Sequence, residues 1–175
     1  MDAHTRRTEN QYIPGDAVSA RKRAQSNNAV STFLLNASGR QPNSASVTDG
    51  GGLGASLTTD RGYLGLSTSA LNNVYGTLSE QDVRIRMQQN RWDLAGELRE
   101  LAGPFKAVKV KLGASDYEHQ ECSGDVLGTT FRNSGMDSRV ELLHQAVGVF
   151  SGAIGFQATR GNSSDTGAEA FIPAG

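Results

Sequence analysis

The chain has little of what usually stabilises a compact soluble protein. It contains one cysteine, Cys122, in 175 residues, which excludes an internal disulfide framework and any zinc motif built from several cysteines. Aromatic residues make up 6% of the chain, and apolar residues make up 37%, below the roughly 45–50% of an ordinary soluble domain. No apolar run approaches the ~18 residues of a membrane helix. The sequence therefore argues against a large apolar core and excludes an α-helical membrane protein. It does not exclude a membrane β-barrel.

An excess of charge of one sign is also lacking. The 17 Lys and Arg residues nearly balance the 18 Asp and Glu residues, for a formal net charge of -1. Non-specific binding to nucleic acid needs a basic face that displaces phosphate counterions, so we expect no nucleic-acid partner. The basic segment at residues 1–7 is not followed by an apolar stretch, so it does not resemble a secretory signal. We expect either a cytoplasmic protein or a piece of a longer one.

From residue 52 onward the sequence has a regular alternation of apolar and polar residues. This period of two is typical of β-strands whose two faces meet different surroundings. One predicted face is apolar, and the other carries Gly, Ser, Lys, Arg, Glu and Gln. The positions on the predicted apolar face are Leu53, Ala55, Leu57, Leu64, Leu66, Thr68, Ala70, Val108, Val110, Leu112, Ala114, Val140, Leu142, Ile154, Phe156 and Ala158.

The alternation changes parity between residues 83 and 98. The apolar residues Val83, Ile85 and Met87 are odd-numbered, whereas those of 92–98 are even-numbered. Two explanations stay open. A β-bulge near Gln88–Arg91 would shift the pattern by one residue. Alternatively, residues 83–87 stand clear of the buried zone, and their parity carries no meaning.

The predicted strands are joined by connections of unequal length. Short turns lie near residues 60, 103 and 149. Long polar passages lie at 72–82, at 120–137 and from 160 onward, so short and long connections alternate along the chain. A further long polar stretch, residues 15–52, contains a segment around Ala17–Gln25 that favours a short helical turn. Loops longer than about 12–15 residues are usually functional or disordered. Short turns at one rim and long loops at the other are typical of outer-membrane barrels.

These patterns predict an all-β fold, namely an antiparallel up-and-down segment of a transmembrane β-barrel. A soluble sheet with one wet face needs a second layer, and the sequence offers no convincing amphipathic helix to supply it, so we expect lipid to cover the apolar face. The predicted strands number about six or seven, whereas the smallest barrels need about 8. We therefore expect an incomplete barrel in which residues 1–14 are a strand end, 15–52 a long external loop and 53–175 successive strands.

Seven segments share features of sequence with a known family of membrane proteins, namely Gly62–Ser67, Asn73–Gly76, Met87–Leu98, Lys111–His119, Gly128–Asn133, Arg139–His144 and Glu169–Pro173. These segments resemble the barrel of TonB-dependent outer-membrane receptors, in particular the branch associated with metal uptake. The likeness runs over most of residues 10–175 and keeps the order of strands and turns. It implies a receptor in the outer membrane of a Gram-negative bacterium, with a plug domain inside a barrel of roughly 22 strands.

The resemblance implies a fragment of an active-transport receptor that takes up a scarce solute, such as a metal ion or a siderophore. The implied partners are outer-membrane lipid, the plug domain of the same receptor, the energy-transducing TonB complex and the solute. No plug domain is recognisable in the sequence, and the loop Thr77–Asp82 lacks the histidines that follow the Tyr-Gly pair in the zinc-uptake branch. We expect no cofactor and no enzymatic activity. The alternatives are a passive porin or autotransporter-type barrel segment, and a soluble β-sheet binding module covered by a partner chain.

The densest group of potential metal ligands lies between residues 116 and 122. Imidazole, thiolate and carboxylate groups suit a borderline metal such as zinc. In a strand, however, side chains two apart share a face and neighbours do not, so these residues converge only if the segment has entered a loop. The candidate ligands are Asp116, Glu118, His119, Glu121 and Cys122.

The sequence also predicts positions for a set of charged residues and a set of aromatic residues. The polar face is expected to carry Lys109, Lys111, Arg139 and Glu141, either as a lumen wall that contacts the plug or solute, or as a water-facing surface that balances charge. The aromatic residues near strand ends and turns suit anchors at a membrane interface or ordinary core positions. These aromatic residues are Tyr63, Trp92, Phe105 and Phe150.

Overall fold

The computed structural model describes residues 1–25, 32–78 and 80–167, and most of them lie in β-strands. Residues 168–175, which include the segment Glu169–Pro173, lie outside the described residues. The two helices are short, as predicted around residues 17–25 for the first. The elements are β1 (Asp2–Thr8), β2 (Tyr12–Asp16), α1 (Ala20–Gln25), α2 (Thr32–Leu35), β3 (Ser38–Arg40), β4 (Ser46–Thr59), β5 (Gly62–Gly76), β6 (Val83–Arg99), β7 (Phe105–Ser123), β8 (Val126–His144) and β9 (Ala153–Gly167).

Seven of the strands form one antiparallel sheet in the order β1-β4-β5-β6-β7-β8-β9. From β4 onward each strand pairs with its neighbour along the chain, so the sheet is an up-and-down meander. Strands β2 and β3 form a separate two-stranded sheet. The all-β class and the strand number are confirmed. Within the described residues the sheet is open, with β1 and β9 at its edges.

The helices of the described ranges are all too short or too polar to cross a membrane.

The short turns near residues 60, 103 and 149 are confirmed, but the strands extend further at the opposite end than the sequence predicts. Residues 120–137 are not a loop, because only Gly124 and Asp125 separate β7 from β8. Likewise, β4 begins inside the predicted loop 15–52, and the predicted passage 72–82 shrinks to 77–82. At this end of the sheet the band face is largely polar, and the apolar residues of the charged face are few and widely spaced along β7 and β8. Alternation therefore gives no signal there, although the backbone pairing continues.

The register places every predicted apolar position on one face of the sheet. Leu57 pairs with Leu64, Leu66 pairs with Leu94, and Leu94 pairs with Leu112. We call this face the band face and the opposite one the charged face. Strand β6 pairs with β5 and β7 without any register shift, so the predicted bulge near Gln88–Arg91 is wrong. The change of parity has another cause, which the candidate site explains.

The apolar residues of the sheet are mostly exposed. The buried apolar side chains of the described residues are Val18, Ile85, Ala107 and Cys122, and the largest side chain that is completely buried is Thr129. By contrast, eleven large apolar side chains of the band face are between 36% and 72% exposed. A patch of this kind marks an interface. Its members are Leu53, Leu57, Leu64, Leu66, Trp92, Leu98, Leu112, Met136, Val140, Ile154 and Phe156, and we call them the apolar band.

The long connection between β1 and β4 is fastened to the loop between β5 and β6 by one side chain. Asn43 Nδ2 lies 2.9 Å from the carbonyl oxygen of Thr77, 2.9 Å from that of Glu80 and 2.8 Å from that of Val83. Asn43 itself has a φ of 55°, a left-handed conformation that Asn tolerates better than most residues. At Gly76 a Cβ atom would meet the side-chain amide and the carbonyl oxygen of Asn43. The absence of a side chain at Gly76 therefore permits this close approach.

Replacing Gly76 with Ala is expected to detach this connection. The added methyl group overlaps Asn43, and overpacking of this kind costs about 1–3 kcal/mol. We expect a lower free energy of unfolding and faster hydrogen exchange at the backbone amides of residues 43–45, 77–78 and 80–83. Gly161→Ala is the matched control, since a Cβ at Gly161 meets open space. Equal effects of the two substitutions would contradict the role of the Asn43 contact.

Candidate functional site

The predicted metal ligands lie along an extended part of β7 and are divided between the two faces of the sheet. Asp116 and Glu118 belong to the band face, opposite Ser134 and Arg132. His119 and Glu121 belong to the charged face. Cys122 follows a register shift after Glu121 and is only 4% exposed. The strand geometry that separates neighbouring side chains therefore holds, and the segment does not enter a loop.

Glu118 is already engaged by neighbouring side chains. Its Oε2 accepts a hydrogen bond from Arg132 Nε at 2.7 Å, and its Oε1 accepts one from Gln120 Nε2 at 2.8 Å. Both bonds compete with a metal for the same oxygens. Across the described ranges, no three His, Cys, Asp or Glu side chains form a group that could hold a metal ion. The five candidate residues thus belong to two separate surfaces.

His119 is the centre of a second group of side chains, on the charged face. Its Nδ1 lies 3.2 Å from the hydroxyl of Tyr117, and its ring meets that of Phe131 edge-on, with centroids 5.3 Å apart. Its Nε2 is buried and has no hydrogen-bond partner among the described residues, and Glu121 Oε1 is 3.7 Å away. That distance is too long for a hydrogen bond. His119 therefore has one ring nitrogen to offer to a ligand or a water molecule.

Tyr117 lies beyond the apolar band, and its hydroxyl stays neutral. Burial raises the pKa of this phenol, and the nearby Tyr75 hydroxyl raises it further. A neutral phenol both donates and accepts hydrogen bonds, so it pairs with either tautomer of His119.

Apolar side chains surround His119 on the neighbouring strands. Met87 of β6 and Phe131 of β8 lie directly across from it, and Ile85, which is 3% exposed, lies across from Glu121. The odd-numbered apolar residues of 83–87 thus point to the charged face, beyond the end of the apolar band. This placement explains the parity change and differs from both earlier explanations: there is no bulge, and the parity has a meaning, because Ile85 is buried on the charged face. We call Ile85, Met87, Tyr117, His119, Glu121 and Phe131 the histidine cluster.

Nearer the short turns, the charged face carries side chains of both signs. Arg91 donates two hydrogen bonds to Asp93, at 2.7 and 2.6 Å, and Arg139 is paired with Glu141 in the same way along β8. Lys109 lies across from Glu97 on one side and Glu141 on the other. The predicted polar-face residues therefore share one face, whose opposite charges alternate.

The predicted aromatic anchors lie at both margins of the apolar band. Trp92 is 53% exposed on the band face, at the margin far from the short turns. Phe105 begins β7, and Phe150 lies in the turn between β8 and β9. Tyr63 is close to the turn at residue 60 but belongs to the charged face, across from Glu97. Three of the four aromatic residues thus lie beside short turns.

The histidine cluster combines an apolar wall with an imidazole, a phenol and a carboxylate. Such a surface suits contact with a solute that has both apolar and polar parts. Sequence reasoning named His119 and Glu121 but missed Ile85, Met87 and Phe131, although the parity change was a signal for the first two. The chain matches no family model.

Because Cys122 is buried against β6 and β8, its thiol is expected to react slowly. We expect a maleimide to label the folded chain at least tenfold more slowly than the chain unfolded in urea, since labelling needs local opening. Ser123→Cys in a Cys122→Ala background is the matched control, because Ser123 is exposed. Rapid labelling of Cys122 in the folded chain would contradict the pairing of β7 with β8 at this end.

Proposed function

We propose that the chain forms part of the wall of an outer-membrane β-barrel receptor that takes up a scarce solute. The observation that carries this proposal is the apolar band on one face of the sheet, opposite a face of alternating charges. A barrel wall in a membrane has this division, with apolar residues toward lipid and polar residues toward the lumen. The band face is then the lipid side, and the charged face is the lumen side.

The apolar band accounts for part of the height of a lipid-facing surface. On β7 the apolar positions run from Val108 to Ala114, and on β6 they run from Leu98 to Trp92. At about 3.3 Å per residue this stretch is about 20 Å along the strand. With strands tilted by about 35–45° this corresponds to a height of about 15 Å, against about 25 Å for the apolar band of an outer-membrane barrel. Beyond this stretch both strands continue with polar residues on the same face.

The strands are longer than membrane crossing requires. Strand β6 has 17 residues, and β7 and β8 have 19 each, whereas a spanning strand needs about 9–11. The excess forms a wall that projects beyond the membrane, and the histidine cluster lines its lumen side. The connection between β1 and β4, fastened by Asn43, adds structured chain at the same rim. A projecting wall with a contact surface on its inner side favours solute capture.

Active transport is favoured over passive diffusion by the resemblance of the segments to TonB-dependent receptors. In this role the plug domain and the solute lie against the charged face, and the TonB complex supplies the energy for uptake. The open edges β1 and β9 pair with further strands of the same receptor, because each unpaired backbone group in lipid costs several kcal/mol. A soluble binding module remains the competing class, and dependence on detergent distinguishes it from a barrel wall.

A polarity-sensitive fluorophore on single cysteines is expected to report lipid on one face only. In a Cys122→Ala background we place the label at Leu112 or at Thr159, which lie on the band face and the charged face respectively. Transfer of the full chain from buffered urea into phospholipid nanodiscs should shift the emission of the label at Leu112 to shorter wavelength and leave that at Thr159 nearly unchanged. Equal shifts, or none at either position, would overturn the proposal.

Leu112→Arg is expected to destabilise the folded chain in lipid by about 2–4 kcal/mol, the cost of an arginine at the middle of the lipid face of a barrel. Leu142→Arg is expected to act in the same direction. Thr159→Arg is the control, since Thr159 lies across from Asp137 on the charged face. Denaturant unfolding in nanodiscs measures all three. A near-neutral result for Leu112→Arg in the folded chain would exclude lipid contact at this position.

A further inference from the structure

Beyond the apolar band, the band face carries a polar groove of about 470 Å³ that crosses β6, β7, β8 and β9. Its lining is made of amide, hydroxyl, carboxylate and guanidinium groups. Asn90 lies across from Asp116, Asp116 across from Ser134, and Ser134 across from Asn162, which forms one polar row across four strands. Most residues of this groove lie on the face opposite the histidine cluster, and the groove shares Tyr117 with that cluster.

The charges in the groove favour a neutral, hydroxyl-rich ligand over an anionic one. Glu118 is paired with Arg132, whose side chain is 60% exposed, while Asp116 has no hydrogen-bond or ion-pair partner in the described part of the chain. The row around Asp116 therefore offers one unpaired carboxylate flanked by amides and hydroxyls. Sugar hydroxyls donate to a carboxylate and exchange hydrogen bonds with amides. A phosphate group meets repulsion from Asp116 at the same place.

A second groove, of about 430 Å³, lies on the same face within the apolar band. Gly96 lacks a side chain, and Leu64, Leu94, Leu98 and Val110 line the space around it. On β7, Val110 and Asp116 are six residues apart, which is about 20 Å along the strand. The exposed ring of Trp92 lies between the two grooves on β6, where an indole suits the boundary between hydrocarbon and headgroups.

We infer that the two grooves together bind a glycolipid, with its acyl chain over Gly96 and its sugar headgroup in the polar row around Asp116. This inference rests on the proposed function, because it requires the band face to meet lipid. Two features select this ligand class: an apolar groove and a hydrogen-bonding groove on one face, and a single unpaired carboxylate that disfavours an anionic headgroup. The lipid occupies the outer side of the wall, so it does not compete with a solute on the charged face.

The test uses the full chain in phosphatidylcholine nanodiscs that contain equal minor amounts of diglucosyl diacylglycerol and phosphatidylglycerol. Lipids retained on the chain are measured by native mass spectrometry. We expect the glycolipid to be retained in preference to phosphatidylglycerol. Asp116→Ala should lower its retention about tenfold, the effect of losing a hydrogen bond to a charged group. Asp116 is exposed and has no hydrogen-bond or ion-pair partner among the described residues, so the variant removes a binding group without breaking such a bond.

Asp165→Ala is the matched control, because Asp165 lies across from Phe131 on the charged face. Its glycolipid retention should equal that of the parent chain. Equal loss in both variants, preference for phosphatidylglycerol, or displacement of the glycolipid by an equal concentration of free disaccharide would each overturn the inference.

The label at Leu112 in the same nanodiscs separates the two proposals. A lipid environment at Leu112 without glycolipid preference refutes the glycolipid site alone. An aqueous environment at Leu112 refutes the barrel wall and the glycolipid site with it.

Discussion

The ladder of backbone hydrogen bonds between consecutive strands is the constraint on which the rest of this structure depends. From β5 to β8 every strand is held by the strand before it and the strand after it, while β4 pairs with β1 and β5, and β9 is an edge strand. There is almost no buried apolar interior among the described residues to add to this pairing. A single layer of strands has two surfaces and no inside, so side chains stabilise it only through what covers each surface. The division into a band face and a charged face therefore reflects the surroundings of the sheet.

The same division places the apolar band and the histidine cluster on opposite faces of the sheet. Moving along β6 from the short turns, apolar residues occupy the band face as far as Trp92, and from Met87 onward they occupy the charged face. The histidine cluster thus begins beyond the level at which the apolar band ends. One strand thus presents apolar residues to the band face over one part of its length and to the charged face over the other. In the receptor wall that we propose, this arrangement separates the membrane contacts from the solute contacts by height, without any second layer of structure.

The sequence was sufficient to predict the class of fold and the facing of the strands within the apolar band. Positions such as Leu66, Leu94 and Leu112 alternate with polar residues, and this alternation is all that an antiparallel register needs. It was insufficient beyond the band, where apolar residues are few along β7 and β8 and residues 120–137 were interpreted as a loop. It also gave no indication of Asn43, whose contacts reach 34 to 40 residues along the chain to three carbonyl groups. At the candidate site it identified His119 and Glu121 by their chemistry, but Phe131 joins them only through the pairing of β7 with β8.

From β4 onward the strands pair only with their chain neighbours, and this has a consequence for how such a sheet changes over time. Each hairpin of this part meets only the hairpins on its two sides, and its side chains do not interlock with a shared core. Insertion, loss or duplication of one hairpin therefore leaves the other pairs in register, provided that the new strands keep the same alternation. In a protein with a packed core the same event would disturb contacts throughout. In a meander of this kind evolution therefore alters the width of the sheet in units of two strands, while the remaining short turns are inherited unchanged.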